Sequence, residues 1–241
     1  MATCSGLTNR VGINEPYRTP GDQIEIRVLA YYLRLAGDDR LAEAMRNGLD
    51  PHGTNAELWN MTRQFAKTFV FLIVYGGGAA LAASRLKITL KESQAAIEGL
   101  HDRMPTLKKL MESEIKKAKK NKCWVNTAFG HRIFYPDLKN GSNDLRARAE
   151  RQVFNALIQG TAANVNKMLM LEARPILSRF NGVRSFAVHD EAGAYVPEEI
   201  ADEVITELNH VYKRNDILEG VPVTGTWAKG KNWNEAKANG G

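Results

Sequence analysis

The sequence predicts an α+β fold. Helical periodicity fills the middle of the chain, one long helical pattern runs over residues 144–178, and short alternating runs separated by tight turns gather late. With 241 residues, 44% hydrophobic and 25% charged, the chain can bury a core of ordinary globular composition.

The elements follow in order. Residues 1–20 hold Gly6, Gly12, Pro16 and Pro20 with little periodicity, and are expected to be loop-like. "QIEIRVLAYYLRLA" begins as a strand-like alternation, Ile24 and Ile26 against Glu25 and Arg27, and turns helical through Leu29, Tyr32 and Leu33. Helices are expected near 38–48 and 53–73, the second stopped by "YGGG". Residues 80–119 read as helical with a break at Pro105, and "WVNTAFGHRIFYPD" as two strands joined by a turn at Gly130. After the long helix, "SFAVHDEAGAYVP" is a hairpin with His-Asp-Glu at its bend. Residues 197–214 read as a helix, and "VPVTGTWAKGKNW" as a closing strand.

Charge and cysteine usage narrow the classes. A net charge of +6 and a pI of about 9.3 suit a polyanionic partner. Cys4 and Cys123 lie far apart and fit no ligand spacing, which points to a reducing compartment and no disulfide. The N-terminus has no apolar signal-peptide core, and the longest apolar run, "FVFLIVYGGGAALAA", is too short and Gly-broken to span a bilayer, so no membrane association is expected.

Two stretches carry chemistry. Arg63, Lys67, Phe71 and Tyr75 are spaced four apart, so on a helix they form a slowly winding stripe. It rises about 6 Å per step and runs roughly 18 Å, about the reach of a nucleoside triphosphate. Cations suit phosphates, and flat rings suit a base or sugar. Taken alone, the stripe equally fits a core helix with a snorkelling Arg and Lys. The second stretch is "AVHDEAGAYV". Asp190 and Glu191 adjoin each other in an apolar run, where unpaired burial would cost several kcal/mol or force a proton on. A basic side chain or a metal ion is therefore expected beside them.

These motifs together resemble DNA polymerase family A. "RQFAKTFVFLIVYG" is similar to the family's fingers helix, with Arg, three residues, Lys, seven residues and Tyr-Gly. "AVHDEAGAYV" resembles its His-Asp-Glu palm hairpin, and "QIEIRVLAYYL" the latter half of its first palm motif. "GLDPH" sits where the family has Asp-x-His. "AFGHRIFYPD" resembles its Gly-Arg-Arg loop, "AERQVFNALIQGTAA" its long palm helix and "WAKGKNWNEA" its C-terminal ending. Order and spacing agree over residues 22–236, and the short loops and "AKTF" look most like the bacteriophage branch.

The resemblance implies a palm, a small antiparallel sheet with packed helices, plus helical fingers, without a thumb or exonuclease domain. After a loop-like segment over 1–20, residues 21–48 would be the first palm segment, 49–123 the fingers and 124–241 the remaining palm. The implied reaction is transfer of a nucleotide from dNTP to a primer 3′-hydroxyl, assisted by two Mg²⁺ ions. Asp190 would ligate both ions and Glu191 would neighbour them. Arg63 and Lys67 would hold the triphosphate, with Lys67 a proton donor to pyrophosphate. Phe71 would stack near the sugar, Tyr75 would stack on the template side before Gly76, His52 would join the nucleotide site and Glu25 would wall off the ribose 2′ position. Arg151, Asn155 and Gln159, four apart on the long helix, would face primer-template sugars and the minor groove. Arg132 would touch the primer backbone. His189 would position the primer end, or else be a satisfied hairpin histidine. The implied compartment is cytoplasmic, that of the host if a phage encodes the chain. "KKAKKNK" reads as a solvated face.

The sequence departs from the pattern at three positions. Counting five residues back from Glu25, where the family places its second metal-binding Asp, gives Pro20; Asp22 is the nearby substitute, about 6.6 Å further along if the segment is a strand. Leu72 replaces a usual glycine and Asn164 a usual aspartate. An active polymerase, with a separate N-terminal chain as partner, therefore stands beside a non-catalytic fragment that binds primer-template or nucleotide. A single-subunit RNA polymerase shares the Lys-to-Tyr-Gly spacing, but Glu25 and Glu191 argue against it.

Overall fold

The computed structural model describes residues 9–14, 24–50, 52–53, 56, 62–74, 77–188, 191–232 and 235–236. The chain packs as two units, residues 1–27 with 162–241, and residues 28–161.

The first unit is built on a four-stranded antiparallel sheet in the order β4-β5-β1-β8. β4 (Val183–Val188) and β5 (Glu191–Val196) form the expected hairpin, paired from Val183↔Tyr195 to Val188↔Glu191 with an irregularity between Arg184 and Phe186. β1 (Asn9–Asn14) lies between β5 and β8 (Thr226–Gly230), with Gly12 opposite both Gly193 and Ala228. The loop expected for residues 1–20 is thus corrected over 9–14: what makes this segment a strand is pairing with residues near the other end of the chain, which no local pattern reveals. Helix α8 (Ala201–Val211) packs on β8, where Asn209 Oδ1 accepts a 2.7 Å hydrogen bond from the Trp227 backbone N–H. A separate ribbon of β6 (Lys213–Leu218) and β7 (Val221–Thr224) turns at Gly220, whose φ is +77°. The helix expected to reach residue 214 therefore ends at Val211, and the single closing strand is two, β7 and β8.

The first turn of α1 (Ile24–Leu35) belongs to this unit. The strand-like start expected at Ile24 is helical instead. Ile24, Ile26, Arg27 and Val28 are all buried, so the apparent alternation never reported a half-exposed strand. Arg27 is accommodated by hydrogen bonds to the Pro222 carbonyl and, at 2.7 Å, to Thr224 Oγ1.

The second unit holds the rest of α1, α2 (Arg40–Arg46), α3 (Arg63–Val74), α4 (Ala79–Leu86), α5 (Leu90–Arg103), α6 (Pro105–Lys120) and the β2 (Trp124–Asn126)–β3 (Arg132–Phe134) hairpin. Leu33, Phe69, Leu100, Leu107, Phe154 and Leu157 are buried in it. Pro105 starts α6 at a position where its missing N–H costs nothing. A second break separates α4 from α5, which the sequence reading lacked. Lys87 adopts a left-handed conformation, and Thr89 opens α5 with a capping box to Glu92.

Helix α7 (Asn143–Arg179) is 37 residues and about 55 Å long, and its residues divide between the two units after Thr161. Its close approach to the β2–β3 hairpin requires Gly160: an added Cβ would lie 2.8 Å from Thr127 Cγ2. Thr161 next to it holds the Tyr32 hydroxyl at 2.8 Å. Among the described residues, no helix is long and apolar enough to cross a membrane. Cys123 is buried as a free thiol.

Candidate active-site residues

α3 separates its faces cleanly. Ala66, Phe69 and Val70 are buried, whereas Arg63 is exposed and Lys67 and Phe71 are half-buried, so these three members of the stripe lie beside the core face of the helix and not within it. The stripe is therefore not a row of core residues. Tyr75 and Gly76 lie outside the described residues. The helix stops where Gly77 N–H donates to the Leu72 carbonyl at 2.7 Å, and a Cβ at Gly77 would overlap Leu72. The departure at Leu72 thus sits against the glycine that ends the helix.

Arg63 is gripped by Asp50, which accepts from its Nε and, at 3.1 Å, from its Nη2. The same carboxylate caps the following segment, accepting from the backbone N–H of His52 at 3.2 Å and Gly53 at 3.0 Å. Burial pushes the Asp50 carboxyl up, but the Arg63 hydrogen bond and charge and the two backbone N–H groups outweigh it and hold it below the usual range. His52 is 2% exposed, and its ring lies 5.8 Å from that of Phe71. Burial pushes its pKa down to about 4; Lys67 and Arg63 push the same way, against the pull of Asp50. At neutral pH His52 is therefore an uncharged packing partner behind Phe71. Sequence reasoning placed Asp50 in the Asp-x-His motif but assigned it no role, although an Asp followed by His52 and Gly53 is the signature of a side-chain-capped turn.

On α7, Arg151 and Gln159 are exposed and Asn155 half-buried, while Val153, Phe154, Leu157 and Ile158 are buried, so the expected polar row again faces away from the core. Asn155 Oδ1 is buried and makes no hydrogen bond among the described residues. Arg132 is exposed on β3, opposite Asn126. In the lysine run, Lys117 pairs with Glu114 at 2.6 Å and Lys119 with Glu150 at 2.5 Å, while Lys116, Lys120 and Lys122 are exposed.

In the first unit, Glu191 opens β5 and is half-buried, followed by buried Ala192, Gly193 and Ala194. Gly193 lies under the Phe186 ring, which a Cβ there would overlap. Glu25 is half-buried in the first turn of α1. His189, Asp190, Pro20 and Asp22 lie outside the described residues. Among the described residues no three His, Cys, Asp or Glu side chains assemble into a metal site.

Residues 21–235 match the family model for DNA polymerase family A. The chain belongs to that family. It is 33% identical over 225 residues to the thermostable DNA polymerase I of Thermus filiformis, covering 89% of this chain and 26% of the relative. It is 34% identical over 227 residues to DNA polymerase I of Chloroflexus aurantiacus, covering 88% and 23%. The POL domain of Pol1 from M. smegmatis, solved in complex with DNA primer-template and dNTP, superposes with a TM-score of 0.81 at 25% identity, over 96% of this chain and 41% of that one. The chain thus spans about a quarter of the length of the curated family A relatives it matches.

Proposed function

We propose that this chain is the palm and fingers of a template-directed DNA polymerase that adds nucleotides from dNTP to a primer 3′-hydroxyl. The observation that carries this reading is the α3 face: Arg63, Lys67 and Phe71 stand beside the core face, with Arg63 held in place by a dedicated carboxylate. Residues 49–123 then act as fingers and 21–48 with 124–241 as palm. The short loops and "AKTF" support a bacteriophage-type chain over one of the bacterial repair branch.

In this reading Arg63 and Lys67 bind the triphosphate, and Lys67 delivers a proton to the leaving pyrophosphate. Phe71, backed by His52, packs against the sugar, with Tyr75 beyond it at the template. Glu25 excludes a ribose 2′-hydroxyl. Arg151, Asn155, Gln159, Arg132 and His189 orient the primer-template.

The donor chemistry fits a hard divalent cation, because Asp190 and Glu191 offer carboxylate oxygens of the kind Mg²⁺ takes. Asp190 would hold two Mg²⁺ ions, with Glu191 beside it; when bound, the ions supply activation of the 3′-hydroxyl and charge stabilisation at the pyrophosphate. The usual second carboxylate is replaced by Pro20; the acidic residues of the segment between β1 and α1 that would have to substitute for it are Asp22 and Glu15. Mn²⁺ binding by Asp190→Ala, Asp22→Ala and Glu15→Ala variants, read by electron paramagnetic resonance, identifies which contribute.

Primer extension with Mg²⁺ tests the reading. Because Pro20 removes the usual ligand, the chain alone is expected to bind primer-template yet extend it very weakly or not at all, and to gain activity with a separate N-terminal chain supplying a thumb. Failure to bind primer-template or dNTP at all would sink the polymerase reading.

A further inference from the structure

Asp50 does three things with one carboxylate. It takes the Nε–Nη2 edge of Arg63, and through the His52 and Gly53 N–H groups it fixes the segment that puts the His52 ring against Phe71. It thereby ties Arg63, the first residue of the stripe, to the segment behind Phe71, with Lys67 between them. The place is built to hold a carboxylate: Asp50 is only 19% exposed, and a Cβ on Gly53 would press on Asp50 Oδ2 at 3.0 Å.

Which edge of the guanidinium is used decides the consequence. A guanidinium can meet an anion through Nε and one terminal nitrogen, or through its two terminal nitrogens. Asp50 occupies the first edge. Arg63 Nη1 makes no hydrogen bond among the described residues, and the side chain remains 44% exposed. A second anion can therefore be bound at the far end without breaking the first contact, which makes the pair a clamp rather than a lock. A free arginine would have to give up rotamer freedom on meeting a phosphate; one already clamped has less to lose.

We infer that Asp50 is a positioning residue for nucleotide binding: it clamps Arg63 by its Nε–Nη2 edge and leaves the Nη1 end for a phosphate of the incoming triphosphate. This rests on the nucleotide-binding reading of α3. A simple electrostatic view gives the opposite sign, since Asp50 cancels the Arg63 charge and would repel a polyphosphate. The two views are therefore separable by one substitution.

The test is a double-mutant cycle on the full chain, measuring dNTP and tripolyphosphate binding by calorimetry. Asp50→Asn keeps one carbonyl oxygen, enough to accept one of the two backbone N–H groups, and loses the charge that holds Arg63; the Arg63→Ala background separates the capping loss from the clamp. Asp50→Asn is expected to weaken binding of both ligands about fivefold to tenfold, and to have no effect when Arg63 is already alanine. Arg63→Lys, which leaves Asp50 intact but has no fork, should weaken binding similarly and not add to Asp50→Asn. Unchanged or tighter binding by Asp50→Asn, or an equal loss in the Arg63→Ala background, would overturn the clamp. If Arg63→Ala and Lys67→Ala both bind as the parent does, the nucleotide reading of α3 falls instead.

Discussion

Helix α3 and the β4–β5 hairpin both carry residues expected to do chemistry, but they hold them differently. On α3 the chemistry and the fold occupy adjoining faces: Arg63, exposed, with half-buried Lys67 and Phe71 on one, and buried Ala66, Phe69 and Val70 on the other. On the hairpin they are interleaved, with Glu191 followed directly by buried Ala192, Gly193 and Ala194 under the Phe186 ring. A side chain on the helix is thus replaceable without disturbing the core, whereas the hairpin leaves no such freedom. The segment before α3 is the exception that tests this contrast, because His52 is buried behind the stripe itself.

The largest expected effect tests that exception. The His52 pKa is about 4 in the folded protein against an ordinary 6.5, so between those values the unfolded chain binds more protons. Stability should therefore fall as pH drops from 6.5 to 4, by about 3 kcal/mol, and change no further through this group below that. The Asp50 carboxyl, held below its ordinary value, acts in a separate window, its contribution being lost as pH falls below about 3.8. Urea denaturation across this range should show the upper slope in the parent and lose it in His52→Gln. A slope that persists in the variant would mean another group is responsible.

Next come the two cations of the stripe. Arg63→Ala and Lys67→Ala should each weaken dNTP binding by about 1.5–3 kcal/mol while leaving the thermal midpoint nearly unchanged. Gly193→Val should do the reverse, lowering stability by about 1–3 kcal/mol through overlap with Phe186. If Lys67→Ala unfolds the chain and Gly193→Val does not, the contrast between the two regions is wrong. Arg151→Ala is expected to be the mildest, within about 0.5 kcal/mol in stability because the residue is exposed. It should lower the slope of log affinity against log salt for primer-template by about 0.9 if Arg151 touches a phosphate; an unchanged slope would remove it from the DNA face.

What was legible in the sequence follows the same division. The α7 boundaries and the β2–β3 and β4–β5 hairpins rest on local periodicity and turn residues, and the structure has them where the pattern put them, whereas the helix expected near 53–73 begins as α3 only at Arg63. The misses arose where tertiary contact decides. Ile24 and Ile26 read as alternation because a helix turn buried nearly all round carries no period to detect. The α4–α5 break depends on Lys87 in a left-handed conformation, which lysine does not announce. Asp50 was given no role because its partner, Arg63, lies 13 residues on. The hairpin carboxylates Asp190 and Glu191 stand out in the sequence as adjoining charges in an apolar run, but the role of each comes only from the resemblance.

The placement of β1 bears on how the molecule is made. Arg10 pairs with Gly230 and Val11 with Ala194, so an interior strand of the sheet is synthesised about 180 to 220 residues before the strands it lies between. Such long sequence separations close slowly, because most of the loop entropy is lost before any pairing rewards it. Until β1 docks, β5 and β8 each present an unpaired edge capable of recruiting another chain. Nascent chains arrested before residue 226 should therefore be the aggregation-prone species, and a chaperone that shields strand edges should raise the yield of folded protein more than one that shields apolar helices.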